Sequence, residues 1–313
     1  MANRLCQSGG VRYRRPQFRC LKREFVVATA SERRAIFSLT APAYLWLTVT
    51  IFLPLSAMFY CSFLSKSPLV PTGAEITLAQ YAAFFTRPVY LQLTWWSLEL
   101  GIYVTFFCLL IGYPVAYALA KQINGRWREA LFLMVILPFW SNALVRIFSW
   151  TMVLRNGGLL DQIIHAVFPG AAPINLLYTY PAVVIGLVHS YLPYMILTCY
   201  ISLQAIDDSV IEAAANLGAR TATIFRRVIF PMSLPGVIAG SALIFVPVIG
   251  SFMEPRILAG TKGVTLGMSI EEQFMVTANW PLGAALSFIL LTIVLLICAV
   301  GYPFIQKRVE GLK

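Results

Sequence analysis

The sequence predicts an all-α, polytopic membrane protein with six transmembrane helices, and three observations carry that expectation. Of its 313 residues 59% are hydrophobic and only 12% charged, about half the charged share usual for soluble domains. The apolar residues gather in runs long enough to cross a bilayer, which takes about 20 residues of helix at roughly 1.5 Å per residue. Lys and Arg concentrate in alternate connections between those runs. A disordered chain is excluded, because 21 Phe, 14 Tyr and 7 Trp carry more apolar surface than an unfolded polymer leaves in water.

Residues 1–34 form a basic tail that includes Arg12, Arg14, Arg15, Arg19, Lys22 and Arg23. It reads as a cytoplasmic topology determinant able to touch anionic membrane lipid. The first span, Ala41 to Phe63, is of full transmembrane length and is followed by more spans, so it is not a secretory signal. Together with the extracytoplasmic segment after it, this span makes up residues 35–90. Residues 91–306 form a core of five further spans: Trp95 to Ala120, Ala130 to Val153, Pro181 to Leu203, Pro235 to Leu258, and Leu282 to Ile305. Residues 307–313 are a short C-terminus. Pro54, Pro114, Pro138, Pro193 and Pro247 lie inside these runs and are expected to kink the helices without unfolding them.

Nine Lys and Arg fall in residues 1–34 and three each in the segments 121–129, 204–234 and beyond 305. The opposite connections carry Lys66, Arg87, Arg155, Arg256 and Lys262. The positive-inside rule then places both termini in the cytoplasm. On so apolar a chain the net charge of +11 is accounted for by those loops and implies no nucleic-acid partner.

Enzymatic motifs are missing. No GxxxxGK[ST] loop offers backbone amides and a lysine to phosphates, so the chain is not expected to hydrolyse ATP. There is no HExxH and no GxSxG. With only His165 and His189, a histidine metal site has little to build on. Cys6, Cys20, Cys61, Cys108, Cys199 and Cys298 form no CxxC pair and read as small packing residues.

The most informative stretch is residues 207–231, between the fourth and fifth spans. Ser209 and Glu212 have the spacing of a capping box, the alanines after them favour helix, and Gly218 suits a left-handed helix end. Thr221 or Thr223 then starts a second segment, which Pro231 is expected to stop. Val210, Ala214 and Leu217 share one face. Such a helix fits either a partner's groove or the membrane surface as an amphipathic connector.

Glu212-Ala213-Ala214, Gly218, and Val228 to Pro231 resemble the EAA-x3-G-x9-I-x-LP motif of permease subunits in bacterial ATP-binding-cassette (ABC) importers, the MetI-like family. Val228 and Phe230 stand where that motif has Ile and Leu. From about Leu91 onward, the runs Arg146 to Trp150, Asn156 to Leu160 and Phe245 to Gly260 look like the spermidine/putrescine branch. The resemblance implies a MetI-like fold in a bacterial inner membrane and a transport subunit rather than an enzyme. It implies three kinds of partner: ABC ATPase subunits holding ATP-Mg, a second permease subunit, and an extracytoplasmic substrate-binding protein. No cofactor is implied on this chain. The cargo it implies is a polyamine, with other small solutes such as opine-like compounds as the alternative. By the same resemblance Glu212, Ala213, Ala214 and Gly218 dock the ATPase, and Pro231 fixes the junction to the membrane helix. An ATP-independent channel or secondary transporter is disfavoured, because the two halves of the chain show no evident similarity.

Glu99, Arg146, Trp150 and Glu254 fall in the outer halves of their expected spans. A charge at the bilayer centre costs about 3 kcal/mol on insertion scales, so such groups face water, a counter-charge or a ligand path. With Tyr194 they are the candidates for a translocation path, where aromatic faces attract cations. The alternative has Glu99 paired with Arg146 and Glu254 with Arg256. Asp161 and His165 read as loop or docking-surface residues. Gly236 and Gly240 form a GxxxG that allows close helix approach.

Overall fold

A computed structural model describes residues 30–68, 73–170, 172–173, 175–260 and 263–310. The basic tail, with Cys6 and Cys20, lies outside the described residues apart from its last few positions, as does Lys262. The chain divides into two compact units, Met1–Pro54 and Leu55–Lys313. Helix α1 (Ala30–Ser62) begins in the first and ends in the second.

In the second unit, α2 (Ala79–Thr86) leads into α3, which starts at Pro88 and runs to Tyr117. Proline suits that first-turn position, where its missing N–H has no helical partner. A π-helical turn, Ala118–Gln122, ends the span. Next come α4 (Arg126–Ile136), α5 (Ala143–Leu154), α6 (Leu159–Val167) and α7 (Tyr180–Gln204). After α7 follow two short helices, α8 (Asp208–Asn216) and α9 (Thr221–Ile224), then α10 (Phe230–Ile249), α11 (Met253–Leu258), α12 (Leu266–Met275) and α13 (Trp280–Glu310).

Five helical stretches are long and apolar enough to cross a membrane: Phe37–Ser62, Pro88–Gln122, Tyr180–Gln204, Thr221–Ile249 and Trp280–Gly301. The third expected span departs from expectation. Between Arg126–Trp140 and Ala143–Val167 the axis bends by 95°. Pro138 sits in a tight 3-10 turn, Leu137–Trp140, and the Asn142 side chain accepts a hydrogen bond from the Leu144 amide at 2.8 Å, capping a new helix. A proline stop followed directly by a fresh N-cap makes a break rather than a kink. A count of six spans holds if this bent pair is one of them.

The fifth span is also displaced. It starts at Thr221, because α9 runs through a π-helical turn, Phe225–Ile229, straight into α10. Pro231 therefore does not stop the second segment. It occupies the first turn of α10, directly after a turn whose hydrogen bonding is already shifted to i−5, with the Phe230 amide bonded to the Phe225 carbonyl. The span ends at Ile249, so Glu254 lies beyond it on α11.

Helices α3, α7 and α10 pack together around Leu100, Val104, Leu187, Met195 and Ile244, all fully buried. Cys108 and Cys199 are buried there as free thiols. A second cluster, with Leu93, Ile249, Leu266 and Leu286, joins α3 and α10 to α12 and α13. Ser97 on α3 accepts the Leu266 amide at 2.9 Å. Thr265 caps α12 through the Met268 amide and donates to the Ser251 carbonyl at 3.1 Å. The GxxxG expectation holds in the geometry. A Cβ on Gly236 would lie 2.4 Å from the Ser202 Cβ and 2.6 Å from the Thr198 carbonyl oxygen, and one on Gly240 2.4 Å from Thr198 Oγ1. The backbones of α7 and α10 meet only because those side chains are absent.

Candidate functional site

The 207–231 segment folds as helix, glycine turn, helix, but its first cap is not Ser209. The Asp207 carboxylate accepts the Ser209 amide at 3.0 Å, and Ser209 already lies inside α8. An ionised carboxylate facing a helix N-terminus gains from the macrodipole as well as from the hydrogen bond, which is why the aspartate takes the position. The Ser209 amide and hydroxyl, with Lys121 nearby, hold the Asp207 carboxyl below its ordinary value. The cap is therefore in force above the usual carboxylate range and is lost as pH falls through that lowered value.

The C-terminus of α8 follows the expectation. Gly218 has φ +79°, its amide bonds to the Ala215 carbonyl at 2.9 Å, and the Ala219 amide reaches back to Ala214 at 3.2 Å. This is a Schellman ending, in which the left-handed residue is glycine because it has no Cβ. The shared face of Val210, Ala214 and Leu217 does not form one contact surface. Ile211 and Ala214 pack inward, while Leu217 is 89% exposed and Glu212, Ala213 and Gly218 lie on the open side. Of the four expected docking residues, Ala214 is thus half-covered by the chain itself.

Two struts tie this segment to the bundle, and sequence reasoning found neither. Lys121, in the π-helical turn that follows α3, donates to the Ile206 carbonyl at 2.7 Å and pairs with Asp208 at 2.5 Å, with its side chain only 10% exposed. Tyr113 shares a 2.8 Å hydrogen bond with Ser233, and its ring packs edge-on against Phe225 and Phe230 at 6.0 and 5.8 Å. A lysine just after an apolar run is the faint sequence signal for the first strut. Lys121→Met is expected to leave the spans intact and to speed amide hydrogen exchange across 208–216 by about tenfold or more, since loss of a charge-assisted bond costs roughly 1.5–3 kcal/mol. Unchanged exchange in that segment would show the strut to be idle.

At the opposite ends of α3 and α7 the candidate path residues separate into two groups. Glu99 and Trp150 share a 700 Å³ cleft with Tyr103, Tyr180 and His189. The Trp150 and His189 rings meet edge-on at 5.4 Å, and those of Tyr103 and Tyr180 at 6.3 Å. Arg146, Tyr194 and Glu254 form the second group. Tyr194 packs on Phe139 at 4.9 Å and on Tyr191 at 5.9 Å, and Glu254 acts electrostatically on Tyr191 and feels Arg146. Burial pushes the Glu254 carboxyl above its ordinary value, opposed by its own backbone amide and by Arg146.

The alternative pairings do not form. Arg256 pairs with Glu271 rather than Glu254, and Arg146 donates to the Pro138 carbonyl at 3.3 Å instead of reaching Glu99. Asp161 is structural, 7% exposed. It accepts the Gly157 amide at 3.1 Å and faces His165 at 3.2 Å, folding the turn before α6.

The chain is 37% identical over 268 residues, covering 85% of itself and 93% of the relative, to the spermidine/putrescine transport system permease protein PotB of Haemophilus influenzae. To the protein of the same name in Escherichia coli K12 it is 35% identical over 269 residues, 85% and 97% of the two chains. Its fold matches a subunit in the crystal structure of a bacterial ABC transporter that imports the polysaccharide alginate, with TM-score 0.70 and 14% identity over 88% of this chain and 96% of the other. Residues 109–310 match the family described as binding-protein-dependent transport system inner membrane component. With that match over most of its length, and relatives above a third identical, the chain belongs to this family of multi-pass inner-membrane transport permeases.

Proposed function

We propose that the chain is the permease subunit of an ATP-driven importer whose cargo is putrescine, spermidine or a related organic cation. The observation that carries this is the 37% identity, over 85% of the chain, to a relative named for spermidine and putrescine transport. The orientation has both termini cytoplasmic, as the Lys and Arg distribution supports. An ABC ATPase subunit holds ATP-Mg, a second permease completes the path, and a soluble protein outside the membrane delivers the cargo.

In this reading Glu212, Ala213 and Gly218 on the open side of α8 meet the ATPase. Ala214, Lys121 and the Tyr113 cluster pass its displacement into α3 and α10, and Pro231 lies in the first turn of α10, directly after the π-helical turn that joins it to α9. Closure of the ATPase pair then shifts helices that are braced rather than loosely tethered. Glu99, Arg146, Trp150, Tyr194 and Glu254 border the solute's route. The two carboxylates outweigh the one guanidinium there, which favours a cation. Lipid surrounds the spans.

The test is uptake of radiolabelled putrescine and spermidine by vesicles containing the reconstituted assembly. Uptake is expected only with ATP, the ATPase and the binding protein present. Transport by the purified chain alone, or rejection of both amines by the complete assembly, overturns the proposal.

A further inference from the structure

The 700 Å³ cleft between α3, α5 and α7 combines features that point to one ligand chemistry. Glu99 stands on the wall it shares with a 250 Å³ pocket lined by Trp96, Tyr180 and Thr265. Among the described residues it has no ion-pair partner. Tyr180 Oη and His189 Nδ1 are buried and lack hydrogen-bond partners among the described residues. Buried polar atoms are normally satisfied, so two unpaired ones in a single cleft need an explanation. The remaining lining is aromatic and aliphatic, from Tyr103 and Phe107 to Ile111 and Leu192.

The cleft is also polarised. The carboxylate lies at the Tyr180 end, whereas Arg146 acts electrostatically on His189 further along α7. The lining holds one carboxylate, at one end, and apolar walls beyond it. A ligand carrying two ammonium groups therefore finds a counter-charge for only one of them there.

We propose that this cleft binds a single primary ammonium group on an aliphatic chain, with the ammonium at Glu99 beside Tyr103 and Tyr180 and the chain along Phe107 and Trp150. An ammonium has three donors. The Glu99 carboxylate and Tyr180 Oη accept two of them, and the neighbouring ring faces supply cation–π attraction. The chemistry is shared by one end of a soluble amine and by the ethanolamine head group of a lipid. The soluble-amine source rests on the function proposed above, and the lipid source does not.

The assembly of this chain with its second permease and ATPase, without the soluble binding protein, is placed in nanodiscs of phosphatidylcholine, with and without phosphatidylethanolamine. Binding of radiolabelled putrescine is followed by equilibrium dialysis. In phosphatidylcholine alone, putrescine is expected to bind, butylamine to compete about as well as putrescine itself, and Glu99→Gln to weaken both by roughly tenfold or more. Tyr180→Phe, which removes one hydroxyl, weakens both to a smaller degree and guards against misfolding of the first variant. If phosphatidylethanolamine abolishes amine binding, the head group is the resident; if it has no effect, the soluble amine is. Unchanged affinity in both variants, absence of amine binding, or failure of butylamine to compete overturns the site. Those failures leave ATP-dependent polyamine uptake untouched. Loss of that uptake in the wild type, with amine binding intact, instead removes the transport reading and keeps the cleft.

Discussion

Gly218→Asp is expected to abolish solute uptake in the reconstituted importer while the chain still inserts, folds and assembles with its second permease. The free chain has little reason to object. A Cβ at this position would meet nothing within 4 Å, and holding a side-chain-bearing residue at φ +79° costs roughly 1–2 kcal/mol, least for Asp and Asn. In the proposed docking role the damage arises where α8 would meet the ATPase. A carboxylate would project from the exposed turn next to Leu217, on the side of the helix that its own bundle leaves open. The checks are uptake in vesicles and co-purification of the ATPase subunit. Wild-type uptake by the mutant would remove this segment from the coupling role.

Gly236→Leu should act on the other side of the same linkage and prevent a stable bundle from forming. The Thr198 carbonyl oxygen 2.6 Å from the added Cβ is main chain, so no rotamer change relieves the contact. Overpacking of this kind costs about 1–3 kcal/mol for small insertions, and a leucine adds three further carbons against α7. Prising α7 from α10 would also strain the Ser202 to Ser233 bond at 3.2 Å and, through Ser233, the link to Tyr113 on α3. A sharp fall in the monodisperse fraction in detergent, and in the midpoint of thermal aggregation, is expected. Gly73→Leu provides the control, since a Cβ there meets nothing within 4 Å. Equal behaviour of the two variants would show that the small-residue contact does not hold the bundle together.

Much of this architecture was legible in the residues because bilayer crossing imposes a length and a composition. The fourth span was expected at Pro181 to Leu203 and forms at Tyr180–Gln204. Breaks within apolar runs were not legible. Hydropathy sums over Ala130 to Val153 regardless of backbone direction, and Pro138 reads alike whether it kinks a helix or ends one. The α8 cap was misplaced by two residues because Ser209 with Glu212 and Asp207 alone are both sound caps, and only the fold chooses between them. In the 207–231 segment the glycine turn was readable because it is local. The Lys121 strut and the Glu99 cleft were not, because they join residues from separate helices. Lys121 reaches Asp208 across 87 positions, and no spacing rule covers that distance.

The 95° break between α4 and α5 carries a cost that the chain meets in part by itself, with the Asn142 side chain taking the Leu144 amide and Ser141 and Arg146 both bonding the Pro138 carbonyl. Around Ser141 and Asn142 the backbone leaves helical geometry between two apolar stretches, and Leu137, Trp140 and Val145 are exposed beside it. Hydrocarbon offers such peptide groups no partner, so irregular backbone at that depth persists only when protein covers it or water reaches it. A copy alone among lipids is therefore expected to be least at ease along this edge, where a covering protein or a film of water has the most to offer.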